Sequence, residues 1–196
     1  MFKPEESASL AEVRGDGVAG NGRLTAALGA LLLVLLAAEG TTIPFIGQLR
    51  KEHILIGMLL LGPVAAKLAS TGYRFARYYL GSPAYVSKGP PQIALRLLAP
   101  GVVFTTVALF GTGVALLIVG RNGELNFLHK VSFIAWFALM TIHVLGHILD
   151  LPGPAFADWR GPRLSGAGLR LAAIAAALAV GAGLAVLTFS AAGSWG

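Results

Sequence analysis

Residues 97–119 read LLAPGVVFTTVALFGTGVALLIV, a run without one charged side chain. As a helix, a run of that length covers the roughly 30 Å of a bilayer's hydrocarbon. Hydrocarbon offers the main chain no water, so a lone span must close its own N–H and C=O groups, and the helix is the conformation that does so. Comparable runs fall at about 24–46, 53–73, 127–149 and 169–190, and the first extends over about 95–119. Composition agrees, with 56% hydrophobic and 12% charged residues and a mean hydropathy of +0.75. The expected fold is an all-α membrane protein of five transmembrane helices. A four-helix bundle occupies 23–150, and a loop with a fifth helix occupies 151–196.

Residues 1–22 mix Glu, Gly, Asp and Ser without apolar periodicity and are expected to form a flexible cytoplasmic tail. The span that follows is too long for the apolar region of a signal peptide and has no convincing A-x-A site after it, so it is expected to be retained. Fifteen Lys and Arg against nine Asp and Glu would suggest nucleic acid in a soluble chain. Here the informative quantity is their division between the two faces, and lipid is the expected partner. One face takes Lys3, Arg14, Arg23, Arg74, Arg77, Lys88, Arg96, Arg160, Arg163 and Arg170; the other takes Arg50, Lys51, Arg121 and Lys130; Lys67 falls inside a span. Ten against four places the N-terminus in the cytoplasm, of a bacterial inner membrane if the family resemblance below holds.

The turns TTIPFIGQLRKE and GRNGELN are short and make their flanking helices antiparallel neighbours. The loop RFARYYLGSPAYVSKGPPQ is longer, and its Tyr and Arg residues suit interfacial anchoring or the docking of an anionic headgroup or partner subunit. The fifth span, LRLAAIAAALAVGAGLAVLTF, carries no reactive group, and its GAG permits close helix contact.

Chemistry concentrates in four histidines. His53 opens the second span and His129 the fourth, and both spans descend from the outer face, so the two imidazoles share one depth. A single intramembrane histidine is better explained as a hydrogen bond to a neighbouring helix; the set is more specific. Two opposed imidazoles on facing helices suit a bis-histidine haem, with Gly57, Gly111 and Gly113 leaving room for the macrocycle. Two neutral histidines without nearby thiolate or carboxylate make a poor zinc site. The absence of cysteine removes thiolate clusters and c-type haem attachment. His129 and His143 are fourteen residues apart, roughly 21 Å along a helix and on one face, a spacing for two stacked haems. His147, near Asp150, suits a propionate, a proton or a quinone.

These residues resemble a known family. LHKVSFIAWFALMTIHVLGHIL is similar to the last haem-binding helix of the bacterial cytochrome b561 and nickel-iron hydrogenase cytochrome b superfamily, and HILIGMLLLGPVAAKLASTGYRFARYY to its second, His53 and Gly57 leading into a basic segment with Arg74. The resemblance covers roughly residues 53–149. It implies an outer haem b between His53 and His129 and an inner one between His143 and a histidine on the first helix. That end reads GNGRLTAALG, without histidine. The expectation is therefore one haem b, with a second site left open at His143. Lys67, fourteen residues after His53, lies at the depth of His143 as a snorkelling lysine, a propionate partner or a ligand. Glu39 is the one carboxylate well inside a span, whose cost there implies either protonation or a hydrogen-bonded partner; it is expected to relay protons to the outer site or to bond with Thr41 or Thr42.

The function so implied is electron transfer between a redox partner subunit and the quinone pool, as a subunit of a membrane oxidoreductase and not a stand-alone enzyme. A homo-oligomer is compatible with it. Two other classes stand beside it: a haem-free membrane anchor whose histidines bridge helices, and a small proton-coupled transporter using His143, His147, Lys67 and Glu39.

Overall fold

The computed structural model describes residues 4–89, 93–160 and 164–195, with side chains from Gly17 onward. Its elements in order are α1 (Pro4–Thr42), a 3-10 turn (Ile43–Phe45), α2 (Arg50–Tyr79), α3 (Pro83–Ser87), α4 (Ile93–Val119), α5 (Gly123–Leu145), α6 (Pro152–Arg160), α7 (Ala167–Leu187) and α8 (Phe189–Gly193). Five of these helices, α1 from Gly17 together with α2, α4, α5 and α7, are long and apolar enough to cross a bilayer. The chain is an all-helical, multi-pass membrane protein.

Three local differences from the sequence reading have physical causes. Residues 4–22, expected as a tail, carry helical backbone continuous with the first span, and from Gly17 they pack: Val18 and Gly20 are buried. Residues 1–3 of that tail lie outside the described residues, as do Arg163 and Pro90–Gln92 of the two longer loops. α5 begins four residues earlier than the apolar run because Asn122 caps it, its side chain accepting from the Leu125 N–H at 3.0 Å. It ends at Leu145, before Gly146, which leaves His147 in the turn beyond.

The spans fall into two groups. α7 lies along α2, and α1 lies along α2 and against α6; α5 lies along α4, which approaches α2 over only a short stretch. Small residues set the first group. A Cβ added to Gly62 would land on the Ala177 carbonyl, and one added to Gly181 would land on that of Leu59, so α2 and α7 touch backbone to backbone. Lipid is as apolar as leucine, so such close contact, more than water exclusion, holds helices together in a membrane. Pro63, beside Gly62, is fully buried. In the second group the buried Trp136 of α5 donates its Nε1–H to Thr106 Oγ1 of α4 at 3.1 Å, and Leu139 packs onto Gly101. Gly120, with φ +87°, ends α4 and turns the chain tightly into α5.

At the end that carries Arg23, a buried carboxylate ties three elements together. Asp158 of α6 accepts from Arg23 Nη1 of α1 at 2.8 Å and from Arg170 of α7, with Nε at 2.5 Å and Nη2 at 2.7 Å. Arg170 crosses Gly20 to reach it; an added Cβ there would meet the guanidinium at 2.8 Å. The Arg170 hydrogen bonds, then that of Arg23, hold the Asp158 carboxyl down to about 2 from its ordinary 3.8.

Asp158→Ala is expected to destabilise the fold by about 1.5–3 kcal/mol, since it removes the charged acceptor that Arg23 and Arg170 share. Because the folded carboxyl titrates below the unfolded one, its contribution is complete above about pH 4 and lost as pH falls from there through about 2. Thermal unfolding in detergent, followed by circular dichroism across that window, checks both statements. Gly62→Ala is expected to cost about 1–3 kcal/mol by pushing α7 off α2, while Gly183→Ala, with no atom near its added Cβ, leaves the melting temperature unchanged.

Candidate functional site

His53 lies in the first turn of α2 and His129 in the second turn of α5. Their ring centroids are 6.4 Å apart and their planes are close to perpendicular, at 83°. The two residues are 76 positions apart in the chain; the structure brings them together between the two helix groups.

Each ring is held by a threonine whose own proton is already committed. Thr42 Oγ1 donates to the main-chain oxygen of Glu39 at 2.6 Å and lies 2.8 Å from His53 Nδ1. A hydroxyl has one hydrogen, so towards the histidine Thr42 acts as acceptor, and Nδ1 carries the imidazole proton. Thr112 repeats the device on α4. Its Oγ1 donates to the carbonyls of Ala108 at 2.8 Å and Leu109 at 3.0 Å, and lies 3.0 Å from His129 Nδ1. With each hydroxyl hydrogen given to its own helix, both rings take the Nδ1–H tautomer with the lone pair on Nε2. No hydrogen bond engages either Nε2 among the described residues. A fixed Nδ1–H and a free Nε2 are what a metal-ligating imidazole needs. Among the described residues no three His, Cys, Asp or Glu side chains gather as a metal-ligand cluster.

Around this pair the glycines divide. Gly113 abuts the His129 ring, whose Cε1 would lie 3.2 Å from an added Cβ; Gly111 faces open space. Gly57 lies beneath a carboxylate, with Glu39 Oε1 at 3.5 Å from its would-be Cβ. That same Oε1 is 3.0 Å from His53 Nδ1, while Glu39 Oε2 is buried without a partner. Thr41 turns instead to the Ala38 carbonyl at 2.7 Å. Glu39 therefore bonds neither threonine hydroxyl through its carboxylate.

The other end is arranged differently. His143 and His147 stack edge to face at 4.9 Å, and His143 Nδ1 is buried without a hydrogen bond. Lys67 comes within electrostatic reach of both rings, and Arg74 of His147. The Lys67 ammonium, however, bonds across to α1, donating to the Thr25 carbonyl at 2.5 Å and lying over Gly29. Beside it Thr25, Ser70 and Asn21 close the seam between α1 and α2 with side-chain bonds of 2.5 to 3.2 Å. No second imidazole faces His143 from α1.

Thr42, Thr112 and Asp158 carry no sequence signal of their role. A threonine inside an apolar run reads as a hydroxyl bonded to its own helix, which each of the two is; the second bond depends on which helix lies opposite. Trp195 is a further case. Its carbonyl accepts from Arg50 at 3.0 Å and Arg121 at 3.4 Å, and its ring lies under Arg121. The segment after α7 thus folds over the rim next to the histidine pair. Comparison with protein-family models, with curated proteins and with solved structures returns no match.

The tautomers are directly measurable. In the ligand-free protein, ¹⁵N imidazole shifts are expected to show His53 and His129 protonated at Nδ1. Thr112→Val is expected to convert His129 to a mixture of both tautomers and leave His53 unchanged.

Proposed function

We propose that this chain is a membrane b-type cytochrome, similar to the cytochrome b561 and nickel-iron hydrogenase cytochrome b superfamily, that carries electrons between a redox partner subunit and the quinone pool. The observation that supports it most is the pair of imidazoles at 6.4 Å, each with Nδ1 taken by an acceptor and Nε2 free. That separation admits one metal atom between two ring nitrogens at about 2 Å each. Two protein donors are too few for a structural zinc or calcium site but suit iron whose macrocycle brings its own four nitrogens. The residues present fit haem b, which His53 and His129 would hold.

Haem so held supplies one-electron transfer without an open coordination position. The chain's own part is to hold both imidazoles in ligating orientation and to exclude water with five apolar helices. Gly113 lets the His129 ring approach α4. Substrate chemistry falls to a separate subunit; the ten-to-four division of basic residues favours the pair near the outer face, and the resemblance implies a bacterial inner membrane.

The reading gives one haem per chain. Lys67 is bonded to the Thr25 carbonyl where the family would have its inner helix-one ligand, and His143 has no facing donor. Lys67, Arg74, His143 and His147 then form a basic inner cluster suited to a quinone or a proton. A second reading rests on the same threonine bonds, which staple α1 to α2 and α4 to α5 without any cofactor: a haem-free membrane anchor.

The visible spectrum of the purified chain separates the two. The expected result is a reduced-minus-oxidised α band and one haem per chain. His53→Ala and His129→Ala are each expected to lower haem content at least tenfold, and His143→Ala to leave it unchanged. Intact protein without haem absorbance overturns the cytochrome and supports the anchor.

A further inference from the structure

Between Glu52 and Glu124 the chain has no acidic residue, yet the end of α2 and the start of α4 carry arginines. Two of them are held by tyrosines in place of carboxylates. Arg77 lies beside the rings of Tyr73 and Tyr85, its guanidinium carbon 6.0 Å from each centroid, and donates to Ser82 Oγ at 3.1 Å. Arg96 reaches from α4 to donate to the Tyr79 hydroxyl, and its guanidinium carbon stands 5.4 Å from that ring. Both arginines are exposed, and among the described residues neither forms an ion pair. Arg23 and Arg170, at the same end of the molecule, share Asp158 instead.

The surface between these two arginines is shaped for an acyl chain as well as for a charge. Ala65, Ala69, Gly72 and Ala76 follow one another at spacings of three and four residues and so line one face of α2. All four are exposed, and a Cβ added to Gly72 meets no atom within 4 Å. At about 100° of turn per residue, Tyr73 and Arg77 stand on one flank of this strip and Phe75 and Tyr79 on the other. The rings of Phe75 and Tyr79 lie 4.4 Å apart and raise that flank. The strip is a shallow apolar groove running into the span, with a guanidinium on each side of its mouth.

We propose that this groove binds one anionic phospholipid, whose phosphate lies against Arg77 and Arg96 and whose acyl chain lies along Ala65, Ala69, Gly72 and Ala76. Guanidinium groups match phosphate oxygens through paired hydrogen bonds, and phenols at that depth suit the membrane interface. Arg77 and Arg96 belong to different helix groups, and α4 approaches α2 over only a short stretch. A lipid held by both joins the two groups and steadies the bundle. General attraction to an anionic surface needs neither a groove nor a particular pair of arginines; a bound lipid needs both.

The test is the lipid affinity of the purified full chain in detergent, read by native mass spectrometry and by thermal unfolding. Phosphatidylglycerol is expected to stay bound at one molecule per chain and to raise the melting temperature. Phosphatidylcholine and inorganic phosphate are expected to do neither. Arg77→Ala and Arg96→Ala are each expected to weaken phosphatidylglycerol binding about fivefold. Arg160→Ala, which removes an exposed cation outside the groove, leaves the affinity unchanged. Gly72→Leu fills the groove and weakens binding without lowering the melting temperature of the lipid-free chain. Should either arginine variant fail to fold, Gly72→Leu decides. No retention of phosphatidylglycerol, equal retention of phosphatidylcholine, or equal stabilisation by inorganic phosphate overturns the inference. So does a loss in Arg160→Ala as large as in Arg77→Ala, or unchanged affinity in Gly72→Leu. All of these outcomes leave the reading of the histidine pair untouched.

Discussion

Inside hydrocarbon a side-chain hydroxyl has no water to receive its proton, and the nearest acceptor is the carbonyl one helical turn back. Thr42, Thr105, Thr106, Thr112, Thr141 and Thr188 all donate to such carbonyls. Most of these bonds merely satisfy the hydroxyl. At Thr42 and Thr112 the consequence travels further, because an oxygen that has given its hydrogen away presents only lone pairs to whatever faces it. What faces it is an imidazole in each case, and the imidazole's proton position is thereby chosen. The chemistry available at the histidine pair is set by helix geometry two bonds away.

The packing that produces this meeting is uneven by design of the sequence. α2 and α7 interlock through Gly62 and Gly181 with no room for adjustment, and α4 and α5 are joined by Trp136 and Thr106. Between the two groups contact is sparse, and that is where His53 and His129 stand. The Asp158 cluster fastens α1, α6 and α7 at the opposite end, far from the histidine pair, where an ion pair does not compete with the site for polar groups.

Polarity differs between the two ends. Around His53 and His129 the polar groups are acceptors: two threonines and Glu39. Around His143 and His147 two cations, Lys67 and Arg74, stand with one carboxylate, Asp150, and Lys67 turns to α1. One end is suited to hold neutral imidazoles with their protons fixed, the other to receive an electron-rich or anionic group. The asymmetry accounts for why a chain with histidines at both depths is proposed to use only one pair for iron.

The sequence by itself determined the class of fold, because length and apolarity in a bilayer leave the helix as the spanning conformation, and it determined the spacing of the histidines along a helix, because rise per residue is fixed. It also marked α7 as a close-packing helix through its GAG. The helix continuing through residues 4–22 was not legible, since those residues lack periodicity and the helical backbone there has no apolar stripe to announce it. Nor was the role of Glu39, Thr42, Thr112 or Asp158, whose partners lie on other helices. Only the tertiary structure decided which helices stand side by side, and with that which acceptor meets which ring nitrogen: a hydrogen bond needs its two atoms within about 3 Å, and sequence spacing fixes position along one helix but not the neighbour it faces.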